Sequence, residues 1–175
     1  MVASSTRQIV AAALLALAAP SLMGAVSVRH DFNERLLSAH NRERSAMMQA
    51  PLRWDDSLAT HAREWAQFLA RTGKFEHSPN FPGAPLEGEN LWAGTSGAYQ
   101  PESMVGLWVA EKRDFKPGTF PSNSRSNDVT RVSHYTQLIW ARTNAVGCAL
   151  AKGRDEEFLV CRYSRAGNVI GEQPI

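Results

Sequence analysis

Cysteine is scarce: the 175 residues contain two, so no more than one disulfide can form within the chain. Excess charge of either sign is missing as well. Nineteen Lys and Arg face seventeen Asp and Glu, a formal charge of +2. No Lys/Arg run of the kind that tracks a phosphate backbone occurs, so nucleic acid is not an expected partner. Nine prolines and twelve glycines are ordinary usage, which excludes collagen-like and low-complexity chains. The sequence also lacks a Gly-x-Ser-x-Gly elbow, a His-Glu-x-x-His helix and a phosphate loop, so no activated nucleophile is recognisable. What remains, 43% hydrophobic and 21% charged, fits one globular domain.

The long uncharged run lies at the N-terminus. After Arg7, residues Gln8 to Val28 carry no charge, and the apolar centre Ile9 to Ala19 is followed by Pro20, Ser21 and Gly24. That order is a secretory signal, and cleavage is expected after Ala25, giving a leader over 1–25 and a single domain over 31–175. The apolar centre is shorter than the roughly 20 residues that span a bilayer, so an uncleaved anchor is the lesser alternative and no stable membrane insertion is expected after cleavage. The expected location is secreted, either extracellular or periplasmic.

Export places Cys148 and Cys161 in an oxidising compartment, which favours a disulfide over two buried thiols. They sit in the apolar runs Val146 to Ala151 and Phe158 to Tyr163, around Gly153-Arg154-Asp155-Glu156. This predicts a β-hairpin in which pairing 150 with 159 sets 148 opposite 161.

Apolar periodicity predicts three helices. Asp31 with Glu34 resembles a capping box ahead of Phe32, Leu36, Leu37, Ala39 and Met47, a helix over about Asp31 to Met48. His40 falls on its stripe and reads as a core histidine satisfied by a backbone carbonyl rather than as a ligand. Ser57 can cap a second helix with Leu58, Ala62, Trp65 and Leu69 on its stripe and Thr72-Gly73 at its end. His61 borders that stripe and reads as packing or surface. Pro101 opens a third helix with Met104, Trp108, Glu111 and Phe115 on one face. An acid amid Met, Trp and Phe either finds a cationic, metal or hydrogen-bonding partner or reaches solvent at the stripe's edge. Lys74 to Tyr99 reads as a long irregular stretch, and Gly118 to Arg131 as a second, polar one. Periodicity alone leaves Ser133 to Trp140 undecided between strand and helix.

Taken in order, His40-Asn41 with Arg44, Pro51-Leu52-Arg53-Trp54-Asp55, His77-Ser78, Gly88-Glu89-Asn90-Leu91, Trp108 with Glu111, His134-Tyr135-Thr136-Gln137-Leu138-Ile139-Trp140, Val146-Gly147-Cys148-Ala149 and Cys161-Arg162-Tyr163 with Gly167-Asn168 resemble the CAP superfamily. This is the group of cysteine-rich secretory, antigen 5 and pathogenesis-related group 1 proteins. The resemblance implies an α+β fold, a three-layer α-β-α sandwich with a small antiparallel sheet between helical layers, and makes the His134 segment a short helix. It departs from the family pattern at Ser133, where glycine is usual, and at Arg165, where proline is common.

In that family two histidines and two glutamates line a central cleft, and motif matching places them at His77, Glu89, Glu111 and His134. Neutral imidazoles beside carboxylates suit Zn²⁺ or another divalent ion, held by His77 and His134 with Glu89 and Glu111 as partners. No organic cofactor is expected. The resemblance implies a non-enzymatic module binding a lipid, a sterol or a protein. One alternative is a metal-dependent hydrolase, a peptidase or esterase using Glu89 and Glu111. A second is an interaction protein whose four polar side chains serve structure alone.

Overall fold

A computed structural model describes residues 23–79 and 86–175, with side chains from residue 31 onward. Most of the expected leader, residues 1–22, lies outside the described residues, as do residues 80–85 of the stretch between the second and third helices. Among the described residues the α-helices and strands follow in the order α1 (Met23–Ala46), β1 (Arg53–Trp54), α2 (Asp56–Thr72), β2 (Gly88–Thr95), α3 (Pro101–Ala110), α4 (Ser133–Ile139), β3 (Ala145–Lys152) and β4 (Glu156–Ser164). Among the described residues no helix is long and apolar enough to cross a membrane.

The sheet runs β1-β3-β4-β2. Its long strands are antiparallel, and the two-residue β1 adds to β3 in parallel, so the sheet is mixed rather than purely antiparallel. The hairpin has the expected register: Leu150 faces Leu159 and Cys148 faces Cys161, the two cysteines forming a disulfide. Because side chains alternate along a strand, β4 feeds two cores. Phe158 and Val160 join Leu91 and Ala149 against Ala62, Ala66 and Leu69 of α2. Leu159, Cys161 and Tyr163 point the other way, to Leu36, Met104, Trp108, Tyr135 and Leu138 of α1, α3 and α4. This is the α-β-α sandwich. Gly147 is what lets α2 lie so close: a Cβ there would fall 2.2 Å from the Ala59 nitrogen and 2.4 Å from the Asp55 oxygen.

Three expectations are corrected. Asp31 and Glu34 lie inside α1, which starts upstream at Met23 and ends at Ala46, so they form no capping box; Asp31 instead faces Arg35 one turn on, at 3.8 Å. The cap of α2 is Asp55, not Ser57: its Oδ1 accepts from the backbone N–H of Ser57 and Leu58 at 3.0 and 3.2 Å, and Gly73 at φ 67° closes the helix. The stretch from Lys74 to Tyr99 is not irregular throughout, since Gly88–Thr95 is the edge strand β2, aligned residue by residue on β4.

Arg44 ties these layers together. Its fully buried guanidinium donates to the carbonyls of Ala50, Leu138, Trp140 and Thr143 at 2.8 to 3.1 Å, which fixes the end of α4 against α1. Burial holds its pKa down, to about 10.

Candidate functional site

Two imidazole–carboxylate couples

Glu111 closes α3 and opens a short 3-10 turn, Glu111–Arg113. From there its carboxylate reaches the start of α4. Oε2 accepts from the backbone N–H of His134 at 3.0 Å and of Tyr135 at 3.1 Å, and Oε1 accepts from His134 Nδ1 at 2.6 Å. The residue preceding α4, Val132, has no capping side chain. Glu111 therefore supplies from another helix the acceptor that a local Ser or Asp would provide. This is the partner that an acid on an apolar stripe requires: the side chain is 18% exposed, with three donors on its two oxygens. The His134 ring stacks along Trp108, with centroids 6.1 Å apart and planes 14° from parallel, and Trp108 Nε1 is itself fixed on the Leu91 carbonyl.

Glu89 lies on edge strand β2, directly opposite Arg162 of β4. Its Oε1 accepts from His77 Nδ1 at 2.6 Å and from the Ser78 backbone N–H at 3.0 Å. Oε2 stands 3.1 Å from Arg162 Nε, an ion pair by distance whose atoms are not aligned as a hydrogen bond. Burial, with 7% of the side chain exposed, pushes the Glu89 pKa up. The His77 hydrogen bond, the Arg162 charge and the Ser78 donors outweigh it and hold the group below the usual carboxylate value.

Arg162 extends this couple. Its Nη2 donates to Ser78 Oγ at 2.6 Å and its Nη1 lies 3.5 Å from Glu87 Oε2, while Glu87 Oε1 accepts from His61 Nδ1 at 2.7 Å. The result is a row His61–Glu87–Arg162–Glu89–His77.

Asn90, next along β2, leaves the strand on the opposite face from Glu89. Its Nδ2 donates to the His134 carbonyl at 3.0 Å and to Tyr163 Oη at 3.2 Å. Tyr163 donates in turn to His40 Nε2 at 2.9 Å, and His40 Nδ1 donates to the Leu36 carbonyl at 2.8 Å. His40 is thus the carbonyl-satisfied core histidine its stripe predicts. Burial, reinforced by the Arg44 charge and only partly offset by the Leu36 carbonyl, lowers its pKa to about 4.

The contacts accordingly assemble the four expected residues two by two, His77 with Glu89 and His134 with Glu111, with β2 carrying a link to both. Among the described residues no group of three or more His, Cys, Asp or Glu is placed to hold a metal ion. Each of the two imidazoles has Nδ1 committed to a carboxylate, and neither Nε2 has a hydrogen-bond partner among the described residues. His77 is 65% exposed and His134 30%, so solvent reaches both.

Residues 37–163 match the CAP, or cysteine-rich secretory protein, family, and the chain belongs to it. It is 35% identical over 149 residues to the pathogenesis-related protein PR-1 type of Sambucus nigra, covering 85% of this chain and 84% of that one. It is 33% identical to pathogenesis-related protein 1 of Arabidopsis thaliana, covering 88% and 91%. In three dimensions it resembles NaASP2, whose crystal structure contains Zn²⁺, with a TM-score of 0.70 at 21% identity, over 82% of this chain and 84% of that one.

Local sequence pattern assigns no role to Glu87, Arg162 or His61. Arg162 becomes legible only once β2 is known to pair with β4, because that register alone sets it against Glu89. His61 lies on α2 and Glu87 ahead of β2, and nothing local in the sequence couples them.

Proposed function

We propose that the chain is an exported CAP-domain binding module in which His77 and His134 take a divalent metal through Nε2, and whose surface holds a lipid, a sterol or a protein partner. The observation carrying this reading is that both imidazoles donate Nδ1–H to a buried or half-buried carboxylate and leave Nε2 without a partner among the described residues. A histidine held in this way is the usual form of a metal ligand, because the carboxylate fixes the tautomer and raises the basicity of the outward nitrogen. The donor set suits Zn²⁺, and the Zn²⁺ in the NaASP2 crystal structure supports the same choice. A bound ion would supply positive charge and Lewis acidity there; Glu89 and Glu111 would orient its imidazoles.

The same contacts favour binding over hydrolysis. Glu111 already accepts three hydrogen bonds that orient it on α4, and the His77 hydrogen bond, the Arg162 charge and the Ser78 donors hold Glu89 below the usual carboxylate pKa, which makes it a weaker base toward water. Export is supported by the leader-like residues 1–25 and by the Cys148–Cys161 disulfide, which belongs in an oxidising compartment.

Calorimetric titration of Zn²⁺ at neutral pH, paired with native mass spectrometry for co-purified lipid, tests the proposal. Zinc binding lost in both His77→Ala and His134→Ala is expected. A protein that takes up neither zinc nor any lipid, sterol or protein overturns it.

A further inference from the structure

The two couples are not held in the same way. His134 stands in the first turn of α4, its ring along Trp108 and its backbone N–H on Glu111. His77 belongs to neither helix nor strand. The segment Glu76-His77-Ser78 is instead fastened by side chains from three elements. Trp65 Nε1 of α2 donates to the Glu76 carbonyl at 3.0 Å. Glu89 of β2 accepts from His77 Nδ1 at 2.6 Å and from the Ser78 N–H at 3.0 Å. Arg162 of β4 donates through Nη2 to Ser78 Oγ at 2.6 Å. Of the three tethers, Arg162 alone touches both the segment and the carboxylate that holds its ring.

Arg162 also answers a charge problem. Glu87 and Glu89 stand two residues apart and turn toward one guanidinium, Glu87 Oε2 at 3.5 Å from Nη1 and Glu89 Oε2 at 3.1 Å from Nε. Their side chains are 15% and 7% exposed, so water screens their mutual repulsion poorly. Among the described residues no other Lys or Arg lies within ion-pair distance of either acid. The remaining oxygen of each acid carries an imidazole, His61 on Glu87 and His77 on Glu89. A neutral imidazole donates a hydrogen bond but no charge, which leaves Arg162 to offset the pair.

We propose that Arg162 is the positioning residue for His77: standing between Glu87 and Glu89 and holding Ser78, it keeps Glu89 on Nδ1 and leaves Nε2 to a metal ion. Arg162 acts through Glu89 and Ser78 rather than on the metal. The assignment rests on the metal-site reading above and deepens it, because the His77 half then depends on a cation carried by β4 and the His134 half on a helix cap.

Zinc titration calorimetry and nitrogen-resolved NMR of the histidine rings, on wild type and variants, test it. Arg162→Met should weaken zinc binding about tenfold or more, the range in which outer groups that orient a ligand act. Its metal-free His77 ring should carry the proton on either nitrogen, while His134 keeps its proton on Nδ1. Ser78→Ala spares the charge and removes one tether, so it should weaken zinc severalfold in the same sense, and it keeps the test decisive if Arg162→Met does not fold. Glu87→Gln removes the competing acid: alone it should leave zinc affinity within about twofold of wild type, and added to Arg162→Met it should restore about threefold or more. That rescue separates charge balance from packing, which a second substitution would only worsen. An Arg162→Met or Ser78→Ala protein with wild-type zinc affinity and an unchanged His77 ring overturns the proposal. So does equal disturbance of His77 and His134, or a double variant no better than Arg162→Met. Wild-type protein that takes up no zinc removes the metal reading alone, and the His77 tautomer in Arg162→Met then decides for or against Arg162.

Discussion

Glu111 Oε2 accepts the backbone N–H of His134 at 3.0 Å while Oε1 holds Nδ1 of the same residue at 2.6 Å, so one carboxylate fixes both the main chain and the ring of a single histidine. Orientation of His134 and integrity of the first turn of α4 are therefore one property. Glu111→Ala should cost about 1–3 kcal/mol, the loss of a cap and a charge-assisted hydrogen bond. In thermal melts this is a fall of roughly 3–10 °C. Glu111→Gln keeps one acceptor oxygen and should lose less. Equal melting temperatures for wild type and Glu111→Ala would show that the cap contributes nothing.

Arg44 serves four carbonyls from inside the core, and three of those acceptors lie at or after the end of α4. Arg44→Met fills similar space but leaves buried acceptors without donors. Denaturant unfolding should report a loss of about 3 kcal/mol or more. Arg44→Lys should not recover it, because an ammonium cannot reproduce the planar fork. Full recovery by lysine would contradict this geometry.

Acid should destabilise the fold through His40. Its pKa is about 4 in the fold against an ordinary 6.5, so between those values the unfolded chain binds the proton and the folded chain does not. That stability is complete above about pH 6.5 and falls as pH drops toward 4, by roughly 3 kcal/mol at most. Urea midpoints across this range should slope for wild type and flatten for His40→Gln. Parallel slopes for the two proteins would assign the effect elsewhere. Glu89, held below its usual value, acts in the same sense at lower pH: its contribution is present above the ordinary carboxylate pKa and is lost as pH falls through the folded one.

The Cys148–Cys161 disulfide joins residues 13 apart across the β3–β4 hairpin. Replacing both by alanine should cost about 3 kcal/mol in the chain-entropy account. The sheet register should persist, because Leu150–Leu159 and the flanking pairs stay in place. An unchanged denaturation midpoint would show that the bridge is energetically idle.

Much of this fold is written in local pattern. The apolar runs on either side of Gly153 specify the hairpin and its register, and the stripe Leu58, Ala62, Leu69 specifies the buried face of α2 that closes the sheet. Strand β2 is hard to read because Gly88-Glu89-Asn90 and Gly94 interrupt any alternation; β4 alongside, rather than propensity, makes it a strand. Glu111 stands out because an acid interrupts an apolar stripe. Its partner does not, since His134 lies 23 residues on and only the packing of α3 against α4 joins them. The cap of α2 is ambiguous in the sequence because Ser57 and Asp55 are both good caps, and backbone geometry decides for Asp55. The row from His61 to His77 depends on Arg162 crossing from β4, information that resides in strand pairing and not in spacing.

Nitrogen-resolved NMR of the histidine rings, recorded before and after adding Zn²⁺, addresses the central claim most directly. His77 and His134 should both carry their proton on Nδ1 without metal, and zinc should shift Nε2 of both rings together while leaving His40 unmoved. Rings protonated on Nε2, or a zinc response confined to one of the two, would contradict it.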